Sequence, residues 1–205
     1  MILFNVIIII YNYIIMTLAK YNKIISILIV ILIFICLIYK YVTGYYKFGD
    51  KIGSFNGVDA YSNQRDQTNS LDSNYYNGIY TGQKWQCVEF IKRYYFDYYQ
   101  HQMPNGYGNA KDFFDNKIKD GELNKERGLI QYTNGSSFTP MVGDILIFGG
   151  KYGHVAIVVN VTADEVEVIQ QNIYMSPRET FKLIVNNGTY TIGENRKPEG
   201  WLRMK

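Results

Sequence analysis

From Met1 to Val42 the chain carries no Asp or Glu and only three basic residues, Lys20, Lys23 and Lys40, while Ile, Leu, Val, Phe and Tyr fill most of the rest. A segment of that composition does not make a water-facing surface, so the chain divides into an apolar appendage and whatever folds behind it. Its 205 residues leave room for one ordinary domain, since domains cluster around roughly 100 to 150 residues. Two apolar runs, Ile2–Ala19 and Ile24–Tyr39, meet at Lys20-Tyr21-Asn22-Lys23. The second has no charged, Asn or Gln side chain, and with its flanking lysines snorkelling it nearly spans the hydrocarbon core of about 30 Å.

Residues 1–43 therefore read as a hydrophobic membrane anchor whose span covers 24–42. The first run carries Asn5, Tyr11, Asn12 and Tyr13, a weaker span at 2–19 that would form the other arm of a hairpin. If Met16 is the start, the segment reads as an uncleaved signal anchor, with no small-x-small cleavage signal before Gly44. The expectation is a single-pass membrane protein, or a two-pass one if 2–19 also crosses. Lys20 and Lys23 argue that the loop ahead of the span is cytoplasmic and that the domain lies across the membrane. Lys40 and Lys47 pull the other way, and the balance leans towards the non-cytoplasmic side.

The three lysines of the anchor account for the net charge. Without them, 18 of the 21 basic residues remain against 18 acidic ones. A balanced domain gives no electrostatic argument for a nucleic-acid partner. Cys36 lies inside the apolar run and Cys87 far from it, so there is no disulfide framework. Two histidines and one usable cysteine give no metal constellation, with His101 expected at an exposed helix end. No cofactor is expected.

Cys87 lies in Gly82-Gln83-Lys84-Trp85-Gln86-Cys87-Val88-Glu89-Phe90, and 67 residues later His154 lies in Tyr152-Gly153-His154-Val155-Ala156-Ile157. A thiol that attacks and an imidazole that moves the proton are the two parts of thiol-based acyl transfer. From Gln86 to Gln100 the apolar positions Val88, Ile91, Tyr94, Tyr95, Tyr98 and Tyr99 recur at spacings of three and four, with Glu89, Lys92, Arg93 and Asp97 between them. This is an amphipathic helix with Cys87 in its first turn. Unsatisfied amides and the positive end of the macrodipole there are expected to lower the thiol pKa, and the Cys87 N–H and Gln86 side chain to face an oxyanion.

Residues 44–80 read as an irregular wrapping segment with short extended pieces such as Gly57–Tyr61, and Ala110–Lys119 as a second, shorter helix. After the polar stretch 121–139, strands are predicted over Asp144–Phe148, His154–Val161, Glu165–Gln171, Phe181–Val185 and Thr189–Ile192, with hairpin-like turns between them. Helices followed by antiparallel strands make an α+β fold. The turn Thr162-Ala163-Asp164 returns Gln170, Gln171 and Asn172 beside His154. These are the candidates to orient the imidazole, and Gln170 and Asn172 share a face by alternation.

Gly108-Asn109-Ala110-Lys111-Asp112, Val142-Gly143-Asp144-Ile145 and Gly153-His154-Val155-Ala156-Ile157-Val158 resemble the CHAP family of cysteine, histidine-dependent amidohydrolases/peptidases, which implies a papain-like fold for residues 44–205. Lys84-Trp85-Gln86-Cys87-Val88-Glu89-Phe90, Gln171-Asn172 with Ser176-Pro177, and Gly200-Trp201 are similar, more narrowly, to the amidase domain of bifunctional glutathionylspermidine synthetase/amidases. The resemblance runs from Gly53 to Met204. It implies Cys87 as nucleophile, His154 as base and Gln170 as third member, where the family usually has an acid. It also implies substrate contacts from Lys92, Asn172 and Ser176, with Lys92 standing where relatives commonly carry Arg, so the charge is kept and the bidentate fork lost.

The implied activity is hydrolysis of a peptide-amide or polyamine conjugate, such as a glutathionylspermidine-like amide, through a thioester. Two rivals stand beside it. One is a peptidoglycan-cleaving hydrolase of the wider family, and the other is a weakened enzyme retained as a membrane-tethered binding protein.

Overall fold

The computed structural model describes residues 2–43, 46–64, 72–105, 107–173 and 176–205. Its contacts group the chain into two compact units, Met1–Tyr45 and Tyr46–Lys205. The first is one helix, α1 (Ile2–Thr43). It runs unbroken through Lys20–Lys23, so the expected hairpin arm is not formed; the segment has no Gly or Pro to stop a helix. Its stretch Leu18–Tyr39, 22 residues, rises about 33 Å at about 1.5 Å per residue. That stretch is long and apolar enough to cross a membrane, and its large apolar side chains are exposed.

The second unit opens with two hairpins where the sequence suggested irregular chain. Strands β1 (Lys51–Phe55) and β2 (Val58–Tyr61) pair antiparallel, as do β3 (Ser73–Tyr76) and β4 (Ile79–Gln83). Their turns are Asn56-Gly57 and Asn77-Gly78, each with positive φ at both residues, the backbone that two-residue hairpins favour. Helix α2 (Cys87–Tyr99) follows.

The expected helix over Ala110–Lys119 shrinks to a 3-10 turn, Ala110–Phe113. Buried side chains take the backbone groups a longer helix would need. Asn124 Nδ2 donates to Phe113 O at 3.0 Å, while Gln131 accepts from Asp115 N at 3.1 Å and donates to Asp115 O at 2.7 Å.

The remaining strands are β5 (Glu122–Asn124), β6 (Leu129–Thr133), β7 (Ile145–Phe148), β8 (His154–Val161), β9 (Glu165–Ile169), β10 (Arg178–Asn186), β11 (Thr189–Ile192) and β12 (Gly200–Arg203). They form an antiparallel sheet in the order β11-β10-β9-β8-β7-β12-β6-β5. The strand β12, arriving from the carboxy terminus, fills the gap between β7 and β6. Alternation places Ile145, Ile147, Val155 and Ile157 in the core with α2, and Leu146, Phe148, Ala156 and Val158 in a second core with Phe181 and Trp201. Both faces of the central strands are covered, which is why they read as continuous apolar runs.

Helix α2 is less amphipathic than its spacing suggests, because Glu89, Lys92 and Arg93 are buried along with Phe90, Ile91, Tyr94 and Tyr95. Glu89 is fully buried and accepts from Arg93 Nε at 2.6 Å, Gln171 Nε2 at 2.7 Å and Asn74 Nδ2 at 2.8 Å. Arg93 also donates to Asp59 O at 2.8 Å. Gly82 lets β4 approach this point: a Cβ there would lie 3.2 Å from Glu89 Cα.

Removing one member of a buried ion pair strands the other charge. Glu89→Leu is therefore expected to destabilise the protein by about 3–5 kcal/mol, measured by urea unfolding. The double variant Glu89→Leu with Arg93→Met is expected to lose less than Glu89→Leu alone.

Candidate active site

Cys87 opens α2 behind Gln86, whose φ of −75° and ψ of 157° are extended and whose side chain makes no cap bond. The first-turn amides are therefore not consumed by a capping side chain. The backbone N–H groups of Val155, Val88 and Cys87 itself pull the Cys87 thiol towards the thiolate. Val155 is the residue after His154 and lies in the same core cluster as Cys87, so the start of α2 and the start of β8 adjoin.

His154 stands at the end of β8, opposite Phe148 in the register. Gly153 makes the approach possible. Its φ is +75°, and an added Cβ would collide with the backbone of Lys111 and Phe148, so this position holds the 3-10 turn against the site. Lys111 N donates to Tyr152 O at 3.1 Å across the same junction.

His154 Nε2 lies 2.8 Å from Gln170 Oε1. A carbonyl oxygen only accepts, so Nε2 carries the ring proton and Nδ1 keeps its lone pair. Gln170 and Gln171 are both fully buried, yet they serve different groups. Gln171 Nε2 donates to Glu89 Oε2 and to Gln86 O at 3.0 Å, and its Oε1 accepts from Tyr61 N at 2.7 Å. Asn172, with φ of +60°, donates through Nδ2 to Gln86 Oε1 at 2.6 Å and accepts from Asn63 Nδ2 at 2.9 Å. With Oε1 engaged there, the donor end of the Gln86 amide is its NH2 group.

Cys87, His154, Gln86 and Asn172 line one open cleft of about 920 Å³, together with Tyr80, Tyr107, Gly108–Ala110, Lys151 and Arg196. Two expected substrate contacts fall elsewhere. Lys92 lines a neighbouring cavity of about 360 Å³ behind Tyr80 and Tyr107, with Nζ 4.9 Å from the Tyr80 ring centroid. Burial, helped by the Arg127 guanidinium, lowers its pKa to about 8. Ser176 is exposed, its Oγ accepts from Arg178 N at 3.2 Å, and it does not line the cleft. His101, expected to be exposed, is partly buried with Nε2 2.8 Å from Arg127 O.

The electrostatics reverse one expectation. Burial pushes the Cys87 thiol above its usual value, and the three amides pull it down without cancelling that effect. Burial likewise lowers His154 to about 4, against the favourable hydrogen bond it donates to Gln170. Burial thus disfavours both a thiolate at Cys87 and an imidazolium at His154.

Sequence comparison covers the same part of the chain. Residues 75–172 match the CHAP domain model. The chain carries a CHAP domain. The matched residues include Cys87, His154, Gln170 and Asn172. The chain is 30% identical over 166 residues to the bifunctional glutathionylspermidine synthetase/amidases of Escherichia coli (strain K12) and Shigella flexneri, covering 71% of this chain and 27% of each relative. It is 26% identical over 175 residues to the trypanothione synthetase of Crithidia fasciculata, covering 78% of this chain and 27% of that protein. The chain thus spans about a quarter of the length of these relatives.

The Glu89–Gln171 bond within the CHAP domain was not anticipated, because Glu89 reads as a surface position between apolar ones. Lys151 and Arg196 in the cleft wall were not anticipated either, since each sits in a polar loop with no periodic signal.

The lowered His154 pKa carries a stability consequence with a definite sign. The unfolded chain takes up the proton near 6.5 and the folded one only near 4, so the stabilising contribution present above 6.5 is lost as pH falls through that window. His154→Gln is expected to flatten the decline by up to about 1.4 kcal/mol per pH unit, read from urea unfolding at pH values between 4 and 7.

Proposed function

We propose that residues 46–205 are a cysteine-dependent amide hydrolase held at a membrane by α1. The observation that carries this reading is that Cys87 and His154 line one cleft, with His154 Nε2 held by Gln170 Oε1 at 2.8 Å. Cys87 Sγ attacks the amide carbonyl carbon as His154 Nδ1 takes the thiol proton. The oxygen of the tetrahedral intermediate faces the amides of the α2 start and the Gln86 NH2 group. The imidazolium returns its proton to the departing nitrogen, the C–N bond breaks, and a thioester remains on Cys87. Water, deprotonated by Nδ1, then attacks the thioester, releasing a carboxylate and the thiol.

The substrate we propose is a glutathionylspermidine-like amide, cleaved to glutathione and polyamine. The similarity to glutathionylspermidine synthetase/amidases supports it. So does the cleft, whose charged lining residues, Lys151 and Arg196, are both cationic and suit the carboxylate of a γ-glutamyl peptide. Among the described residues no carboxylate lines the cleft to grip the polyamine, which points to recognition through the acyl half.

The full chain in detergent, offered glutathionylspermidine and a muropeptide, is expected to release glutathione from the first, as followed by mass spectrometry. Cys87→Ala is expected to slow this by at least about a thousandfold. Cleavage of the muropeptide alone would overturn the substrate; turnover unchanged in Cys87→Ala would overturn the mechanism.

Anchoring by α1 has its own test. Ile31→Arg together with Leu32→Arg places two charges in the middle of the Leu18–Tyr39 stretch, each costing about 2.5–3.5 kcal/mol on the insertion scale. The variant is expected to leave the carbonate-resistant membrane fraction in which the parent chain remains.

A further inference from the structure

The arm that orients His154 does not end at Gln170. Gln170 Nε2 donates to Glu179 Oε2 at 2.8 Å, and the same oxygen accepts from Arg196 Nη1 at 2.6 Å. Glu179 lies on β10, at the register position opposite Val168, and outside the residues matched by the family model. Its own partner, Arg196, stacks over Phe148 at 4.4 Å, and the Phe148 ring lies 6.2 Å from the imidazole. The acid, the amide, the imidazole and the guanidinium form one continuous set.

An amide can face an imidazole in two ways, and they have opposite consequences. With Oε1 forward, Nε2 of the ring must donate and Nδ1 is the base. With NH2 forward, Nε2 must accept, the ring proton moves to Nδ1, and the nitrogen needed to take the thiol proton is already occupied. Gln170 by itself has no preference between the two. An ionised carboxylate behind it does, because a carboxylate accepts only and therefore demands the NH2 end.

We propose that Glu179 is a positioning residue that sets the tautomer of His154 by holding the Gln170 amide in one orientation. The proposal rests on the reading of His154 as the proton carrier. Orientation, not charge, is the means. The charged groups that act on the imidazole are Arg196 and Glu179, and their effects oppose each other, with that of Arg196 the larger. The cleft that His154 lines also holds the Cys87 thiol, Lys151 and the phenols of Tyr80, Tyr107 and Tyr152.

The chain has two histidines, so a sample of the full chain in detergent micelles labelled with 15N-histidine shows two rings, and His101→Gln assigns them. In the parent, the His154 ring nitrogens are expected to show one tautomer, protonated at Nε2. In Glu179→Ala they are expected to shift towards a mixture, with kcat for glutathionylspermidine hydrolysis falling about ten- to a hundredfold and KM nearly unchanged. The exchange Gln170→Glu with Glu179→Gln puts an acceptor-only group directly against His154, and it is expected to restore both the single tautomer and kcat. A single Nε2-protonated ring in Glu179→Ala would overturn the proposal. So would an exchange variant that keeps the mixture, since Glu179 would then act through the fold and not through the amide. The ring signals need no substrate, so full turnover in Cys87→Ala would refute the cysteine mechanism while leaving them as they are.

Discussion

The buried carboxylate of Glu89 joins parts of the domain that the chain supplies far apart. It receives Arg93 from its own helix, Asn74 from the β3–β4 hairpin and Gln171 from the segment after β9. Arg93 extends the set to Asp59 in the β1–β2 hairpin. Two charges out of water are costly unless each lone pair and proton finds a partner, and here those partners decide where both hairpins sit. Glu89 is two residues beyond Cys87, so the same contacts hold the helical turn that carries Cys87. Three consecutive residues then complete the site from the other side. Gln170 reaches His154, Gln171 reaches Glu89 and the Gln86 carbonyl, and Asn172 reaches the Gln86 side chain. One buried carboxylate thus ties the turn that carries Cys87 to the segment whose neighbouring residue reaches His154.

Cys87 and His154 are also governed by their own burial. A helix start offers amides and a positive dipole end to a thiolate, effects worth of order one kcal/mol when partly exposed. Removing an ion from water costs several, and in this site the second effect is the stronger for both groups. Gln170, an amide where the resemblance implied an acid, meets the imidazole with an acceptor oxygen and no charge of its own.

Much of this was readable in the chain. Helix α2, strands β7, β8 and β11 followed from apolar period and Gly-marked turns, and so did the placing of Gln170 beside His154. The two early hairpins carry the same Asn-Gly turn signal as Asn187-Gly188, but their strands are short and polar, so no alternation drew attention to them. The strand β12 pairs with partners more than 50 residues earlier in the chain, which no local pattern reports. The second helix failed because Asn124 and Gln131, distant in sequence, compete for its backbone groups. Glu89 and Arg93 misled for a related reason: a charged pair at helical spacing looks the same whether it faces water or satisfies itself inside.

The identity of residue 170 follows from its surroundings in the same way. The position is fully buried, it contacts His154 on one side, and on the other it is 2.8 Å from the Glu179 carboxylate. An acid there would place two carboxylates at hydrogen-bond distance, and like charges that close do not both stay ionised. One would take a proton, and the proton's position would decide whether the group facing His154 accepts or donates. With an amide at 170 and the acid at 179, no such ambiguity arises: the single charge lies at the rim with Arg196, and the buried position holds a neutral group whose acceptor end faces the ring. Gln170 is then less a weakened acid than the inner half of a two-residue acceptor whose charge is kept in partly solvated surroundings.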